Sequence, residues 1–127
     1  MTSVVFDASA VLTLVRDEPG AEKVAAHIGH AAISAVNLQE VVKELLLSGL
    51  DEPTIRELLG ELRLDVRAHD LEGAFVAARL HEQTGSFGHG LGDRSCMALA
   101  LQLGTPVLTA NREWKKVKVR GLKFQHI

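Results

Sequence analysis

The sequence predicts a three-layer α/β fold: a mostly parallel sheet of about four to five short strands, flanked by helices. Two observations carry this. Short apolar runs alternate with helical stretches from one end of the chain to the other. Polar residues repeatedly stand where an apolar run stops and a helix starts: Asp7, Asp93 and Asn111. A length of 127 residues with 46% hydrophobic residues suits one domain, 1–127, with a single core.

The elements follow in order. Residues 3–6 read as a short buried strand. Ala8 to Val15 is helical, and Asp17-Glu18-Pro19-Gly20 breaks it. A helix over Ala21–Ile28 and a strand over Ala31–Ser34 come next. Asn37 to Leu50 is predicted helical, with Leu38, Val41, Val42, Leu45 and Leu46 on one face. Pro53 opens a helix to Leu62, at a position where its missing N–H is harmless. Leu64–Arg67 is a strand, and Asp70–Thr84 a helix with Leu71, Ala74, Phe75 and Ala78 inward. Gly85 to Gly92 is a glycine-rich loop that either moves on binding, with His89, or simply connects. Asp93–Leu103 is a helix stopped by Gly104 and Pro106. Pro106–Thr109 is a strand, Arg112–Lys116 a short turn, and Leu122–His126 a closing edge strand.

The bulk numbers exclude several classes. Fourteen Lys and Arg face sixteen Asp and Glu, for a net charge of −2, so nothing chain-wide argues for a nucleic-acid coat. Cys96, the single cysteine, lies in an apolar run and reads as a buried, inert thiol in a reducing compartment. No apolar stretch reaches the roughly 20 residues of a membrane helix. Nor does the start read as a signal peptide, so the expected location is cytoplasmic. The histidines lack zinc spacing, and the glycine loop lacks the GK[ST] of a P-loop.

The polar residues at strand ends carry the chemistry. In a parallel sheet the carboxyl ends of the strands form one rim, where ligands bind. Asp7, Asp93 and Asn111 would meet there, together with Glu40 from an otherwise apolar helix stretch. Three carboxylates and an amide suit a hard cation such as Mg²⁺, and Mg²⁺ suits phosphoryl chemistry. Each residue has a plainer reading as well. Asp7, Asp93 and Asn111 are good N-caps, and Glu40 could be a solvated flank beside Lys43 and Glu44.

Four strings carry a family resemblance. Val5-Phe6-Asp7-Ala8-Ser9-Ala10-Val11-Leu12 resembles the opening of PIN-domain nucleases. Ile33 to Val41 resembles their second motif, Leu91 to Ala100 the third, and Pro106 to Trp114 the fourth. The order matches and the resemblance spans the chain. The nearest group is the VapC toxins of bacterial toxin–antitoxin pairs. The resemblance implies a PIN-like fold and Mg²⁺- or Mn²⁺-dependent endoribonuclease activity. It further implies a homodimer and a cognate VapB-like antitoxin seated in an apolar groove, with Val11, Leu12 and Val15 as candidate lining. Asp7, Glu40 and Asp93 match the acidic metal positions.

Asn111 falls where the group usually has a fourth acid. An Asn carbonyl can still ligate a hard cation, but the loss of a charge weakens the site. Glu113, two positions on, faces another way in a helical segment. Ser9 matches a small hydroxyl position, either a partner of Asp7 or a plain first-turn residue. Arg94, Arg112, Lys115 and Lys116 adjoin the acids and are candidate phosphate contacts, with Lys118, Arg120 and Lys123 close behind. Trp114 would stack a base or pack on the sheet edge. Two rival readings stay open: a PIN-fold protein that binds RNA or antitoxin with weakened catalysis, because of Asn111, and a small nucleotide-binding or receiver-like domain.

Overall fold

A computed structural model describes residues 2–84 and 90–127. In chain order the elements are β1 (Val4–Phe6), α1 (Ala8–Val15), α2 (Ala21–Ala25), β2 (Ala31–Ser34), α3 (Ala35–Leu47) and α4 (Glu52–Glu61). There follow β3 (Asp65–Arg67), α5 (Leu71–Arg79), α6 (His81–Thr84), α7 (Leu91–Leu103), β4 (Val107–Thr109), a 3₁₀ turn (Arg112–Lys116) and β5 (Phe124–His126). Among the described residues the strands form one parallel sheet, ordered β3-β2-β1-β4-β5.

Alternation along the central strands builds the layers. Successive strand side chains point to opposite faces. Val4 and Phe6 of β1, Ile33 of β2 and Leu108 of β4 enter one core with Val11, Val24, Val41, Leu45 and Ile55. Val5, Ala32 and Val107 enter the other, against Ala77, Leu80, the Cys96–Ala100 stretch and Trp114. Helices α1–α4 therefore cover one face, and α5, α7 and the 3₁₀ turn the other. Burial of both faces explains why the three central strands, β2, β1 and β4, read as largely apolar runs.

Local chemistry sets the element ends. Asp7, Asp51 and Asp70 accept the N–H groups of Ala10, Thr54 and Gly73, and Ser34 accepts that of Val36. Helix α3 therefore starts at Ala35, before Asn37, and α4 starts at Glu52. The predicted 70–84 helix divides at Leu80, whose N–H is shared between the Val76 and Ala77 carbonyls. The 21–28 helix ends early, at Ala25.

One helix face differs from the sequence expectation. On α5 the buried side is Gly73, Val76, Ala77 and Leu80, while Leu71 and Phe75 are 71% and 56% exposed. Both stripes are apolar at helical spacing, so periodicity does not choose between them. Packing decides: Val76, Ala77 and Leu80 join the α7 residues in one core, and Gly73 leaves room for the His69 ring beside the α5 start. On α3, Val41 and Leu45 are buried, but Leu46 is half exposed. No helix among the described residues is long and apolar enough to cross a membrane.

Candidate metal centre

The carboxyl ends of β1 and β4 open on a cleft of about 440 Å³, walled by the starts of α1 and α7, the first turns of α3, and the 3₁₀ turn. Asp7, Ser9, Glu40, Asp93 and Asn111 all line it. The topology places β1 and β4 side by side, so residues a hundred positions apart meet there.

Asp7 is the most constrained. It is 5% exposed. Its Oδ1 accepts from Ser9 Oγ at 2.7 Å and from Ala10 N at 2.9 Å, while Oδ2 accepts from Thr109 Oγ1 at 2.5 Å. Burial pushes its carboxyl above the usual carboxylate range. The three hydrogen bonds pull it down, and the Asp93 charge pushes it up again. A carboxylate offers about four lone-pair sites, so one site on Oδ2 remains for a ligand. Ser9 Oγ also accepts from Ala110 N, and Thr109 Oγ1 from Asn111 N. The two hydroxyls thus tie Asp7 to the segment that carries Asn111. Capping and cleft duty coexist in Asp7.

Asp93 does not open its helix, as the glycine-rich lead suggested. Gly90 is the N-cap, and Asp93 sits in the first turn. A Cβ on Gly90 would lie 3.2 Å from Asp93 Oδ2, so the carboxylate folds back toward the helix N-terminus, where the backbone dipole favours an anion. Asn111 Oδ1 accepts from Glu113 N at 3.1 Å and caps the 3₁₀ turn, with a second lone pair left. Glu40 reaches the rim, but its carboxylate is about half exposed and takes a hydrogen bond from Lys43 Nζ at 2.8 Å.

Two polar residues of the site escaped the sequence reading. Thr109 is fully buried at the end of β4. Its signal was a hydroxyl closing an apolar strand. Asn37, 4% exposed, donates from Nδ2 to Gly92 O at 3.0 Å and locks the start of α7 onto α3. That bond fixes the amide's orientation, because a flip would set two oxygens face to face. Asn37 Oδ1 is then left without a hydrogen-bond partner among the described residues. Its signal was a polar residue one turn before Glu40.

The donor set fits Mg²⁺ or Mn²⁺ in kind. Asp7, Asp93 and the Asn111 and Asn37 carbonyls are all hard oxygens at one cleft, and one of them is buried and unsatisfied. Among the described residues, no three Asp, Glu, His or Cys side chains stand together as a ready cage. Mg²⁺ needs no such cage: it keeps waters and binds through one or two carboxylates with substrate phosphates.

The cations distribute differently from the sequence expectation. Arg94 lies with His69, Ala74, Ala77 and Leu91 on the α5 side of α7, because adjacent helix positions diverge by about 100°. Arg112 is exposed and donates to Ile127 O at 3.3 Å. Lys115 and Lys116 are exposed on the 3₁₀ turn, and Lys115 faces a separate hollow beside β5. Trp114 is buried and packs on Phe124, ring centres 5.5 Å apart, so it is not free to stack a base. Cys96 is buried behind the acids. Burial above all, then Asp7 and Asp93, pushes its thiol well above the usual range. His89 and residues 85–89 of the glycine loop lie outside the described residues.

The PIN domain family profile matches residues 4–120. The chain is similar to the DNA-bound VapBC of Salmonella typhimurium, at 20% identity and TM-score 0.76, covering 99% of this chain and 98% of that one. It is similar to a toxin–antitoxin complex from Klebsiella pneumoniae, at 18% identity and TM-score 0.75, covering 94% and 95%. PAE2754 from Pyrobaculum aerophilum aligns at 21% identity and TM-score 0.66, over 97% and 90%. At such identities the likeness is one of fold. No curated protein sequence matches the chain.

Proposed function

Because this chain belongs to the PIN domain family, we propose that it is a metal-dependent endoribonuclease, the VapC-like toxin of a toxin–antitoxin pair. The observation that carries the reading is the cleft in which Asp7, Asp93 and Asn111 converge, with Glu40 at its rim. Asp7 and Asp93 would hold Mg²⁺ or Mn²⁺. The Asn111 carbonyl and, after a change of rotamer, Glu40 would add to the oxygen set. Such an ion, when bound, lowers the pKa of water and screens phosphate charge for hydrolysis of an RNA phosphodiester.

The chain's own residues position this chemistry. Ser9, Thr109 and the Ala10 N–H hold the Asp7 carboxylate in one orientation. Asn37 holds the turn that presents Asp93. Asn111 supplies a carbonyl where an acid would supply charge, so the site binds its ion more weakly than an all-acid one.

Partners follow from exposed apolar surface. Val11 is fully buried, and Leu12 and Val15 pack against the core, so the early helices do not form the antitoxin groove. A hollow of about 640 Å³ on α3, lined by Leu38, Val42, Leu46 and Leu47, takes that role. Gln39 borders both this hollow and the acidic cleft, so an antitoxin segment lying there would end beside the acids. A second copy of the chain would dock on the outer face of α5.

The test is cleavage of labelled structured RNAs by antitoxin-free protein, with Mg²⁺, Mn²⁺ or chelator, beside Asp7→Asn and Asn111→Asp. Metal-dependent cleavage is expected, reduced on the order of 100-fold or more in Asp7→Asn, since lost charge stabilisation of several kcal/mol reads at about 1.36 kcal/mol per decade. Asn111→Asp should bind metal more tightly and cut faster. Cleavage by Asn111→Asp alone would make the natural chain a weakened, binding protein. No cleavage and no metal binding by any variant would sink the nuclease reading.

A further inference from the structure

Residues 114–127 contain Lys115, Lys116, Lys118, Arg120 and Lys123 and not one Asp or Glu. The rest of the chain holds nine Lys and Arg against all sixteen acids. A chain of net charge −2 therefore carries five positive charges and no negative side chain at one end of its sheet, along the edge strand β5.

The fold turns that segment into a concave surface. The 3₁₀ turn, the 117–123 connection and β5 enclose a hollow of about 780 Å³, within the size range of ligand clefts. Lys115, Lys118, Arg120 and Lys123 stand around it, over a floor that includes Val117 and Phe124. All four are exposed, and none makes an ion pair among the described residues. Clustered like charges repel one another, and an arriving polyanion relieves that repulsion. Trp114 walls this hollow on one side and the acidic cleft on the other, so the two sites adjoin.

From this we infer that the hollow beside β5 is a second substrate subsite, which grips the phosphates of single-stranded RNA flanking the bond held in the acidic cleft. The inference rests on the nuclease reading. Trp114 and Phe124 are packed on each other and on the core, so no stacking platform is offered. The grip acts through charge on the backbone and is tolerant of sequence. The adjoining cleft is the one the nuclease reading assigns to the scissile phosphate, and this continuity favours RNA over an acidic peptide.

The experiment measures binding of a labelled single-stranded oligoribonucleotide to the silenced Asp7→Asn chain in chelator, by fluorescence anisotropy across a salt series. The comparison is the same chain carrying Lys118→Gln, Arg120→Gln and Lys123→Gln. A matched control carries Arg56→Gln, Arg63→Gln and Arg67→Gln, on and beside β3 at the opposite edge of the sheet. The triple variant should bind at least tenfold more weakly at low salt, with a salt slope shallower by about 2, at roughly 0.7 for each phosphate no longer neutralised. The control should bind as before, and neither should melt lower than the parent chain. Equal affinity and slope in the triple variant would overturn the subsite. Polyglutamate bound as tightly as RNA, and released by the same substitutions, would overturn the RNA assignment. Metal-dependent cleavage by the otherwise natural chain separates the two proposals: with cleavage intact and no effect of the triple variant, the subsite alone falls.

Discussion

Asp7 accepts three hydrogen bonds inside a nearly closed environment, yet burial still raises its pKa above the ordinary value of 3.8. A carboxyl whose folded pKa lies above its unfolded one binds more protons in the folded state. Stability is then fullest at low pH and is lost as pH rises from about 3.8 through the folded value. The ionised Asp7 therefore weakens the metal-free fold at neutral pH. Asp7→Asn keeps the shape, and the Ser9 and Thr109 hydroxyls can turn to serve an amide. In chelator at neutral pH it should melt higher, at roughly 4 °C for each kcal/mol gained. The gain should vanish below about pH 3.8. Adding Mn²⁺ should reverse the order, since a ligand that binds the folded state stabilises it. Calorimetry with and without chelator checks both. A variant that melts lower than the natural chain in chelator would show that the hydrogen bonds outweigh burial. Asp7 was legible in sequence because a carboxylate ending an apolar strand is conspicuous. Thr109 and Asn37 were not, because a single buried hydroxyl or amide is ordinary in any core and becomes informative once its partners are known.

Among the elements, α7 is the one whose placement the cleft depends on. Its first turn follows the glycine loop and has no side-chain cap from Gly90. The bond from Asn37 Nδ2 to Gly92 O supplies the missing anchor from α3. A buried hydroxyl pair, Ser34 Oγ and Ser95 Oγ at 2.5 Å, joins β2 to the same helix one turn on. Asn37→Ala should cost about 1–2 kcal/mol, the worth of a buried hydrogen bond and its packing. It should also speed amide exchange at Arg94, whose N–H makes the first backbone bond of the helix to Gly90 O. Glu40→Ala, three residues further on and half exposed, should change neither. Hydrogen-exchange mass spectrometry with thermal melts reads both, and unchanged protection in Asn37→Ala would remove Asn37 from the positioning of Asp93. The parallel sheet was readable from alternating short apolar runs, but its strand order was not, because the order depends on which helices cover which face. The start of α7 was not, because Gly90 caps through its backbone, and backbone capping leaves no residue-type signature.

At the scale of the molecule, the face of α5 that periodicity placed inside carries the last consequence. Leu71, Ala74, Phe75 and Ala78 form an apolar stripe facing outward, and Leu71, Phe75 and the 73%-exposed Leu91 are the large side chains there. Sequence alone saw the right residues and the wrong destination, since a stripe made for a neighbouring helix and one made for a neighbouring molecule have the same spacing. Apolar area kept in water disfavours the monomer by about 25 cal/mol per Å², and contiguous exposed patches mark association surfaces. A twofold dimer would bury the same stripe from both copies. Stable interfaces hide about 1,200–2,000 Å² in total, which α5 can reach only with help from the adjoining α7 start. Phe75→Glu places a charge at the centre of the stripe. Because Phe75 is 56% exposed in the single chain, the monomer's own core should tolerate it. Light scattering after size exclusion should give twice the 13.7 kDa chain mass for the natural protein and the single mass for Phe75→Glu. The variant's melting temperature should then depend less on protein concentration. A natural chain that elutes as a monomer at every concentration, or a Phe75→Glu chain that still dimerises, would take the dimer away from α5. The stripe would then have to be covered by a different partner.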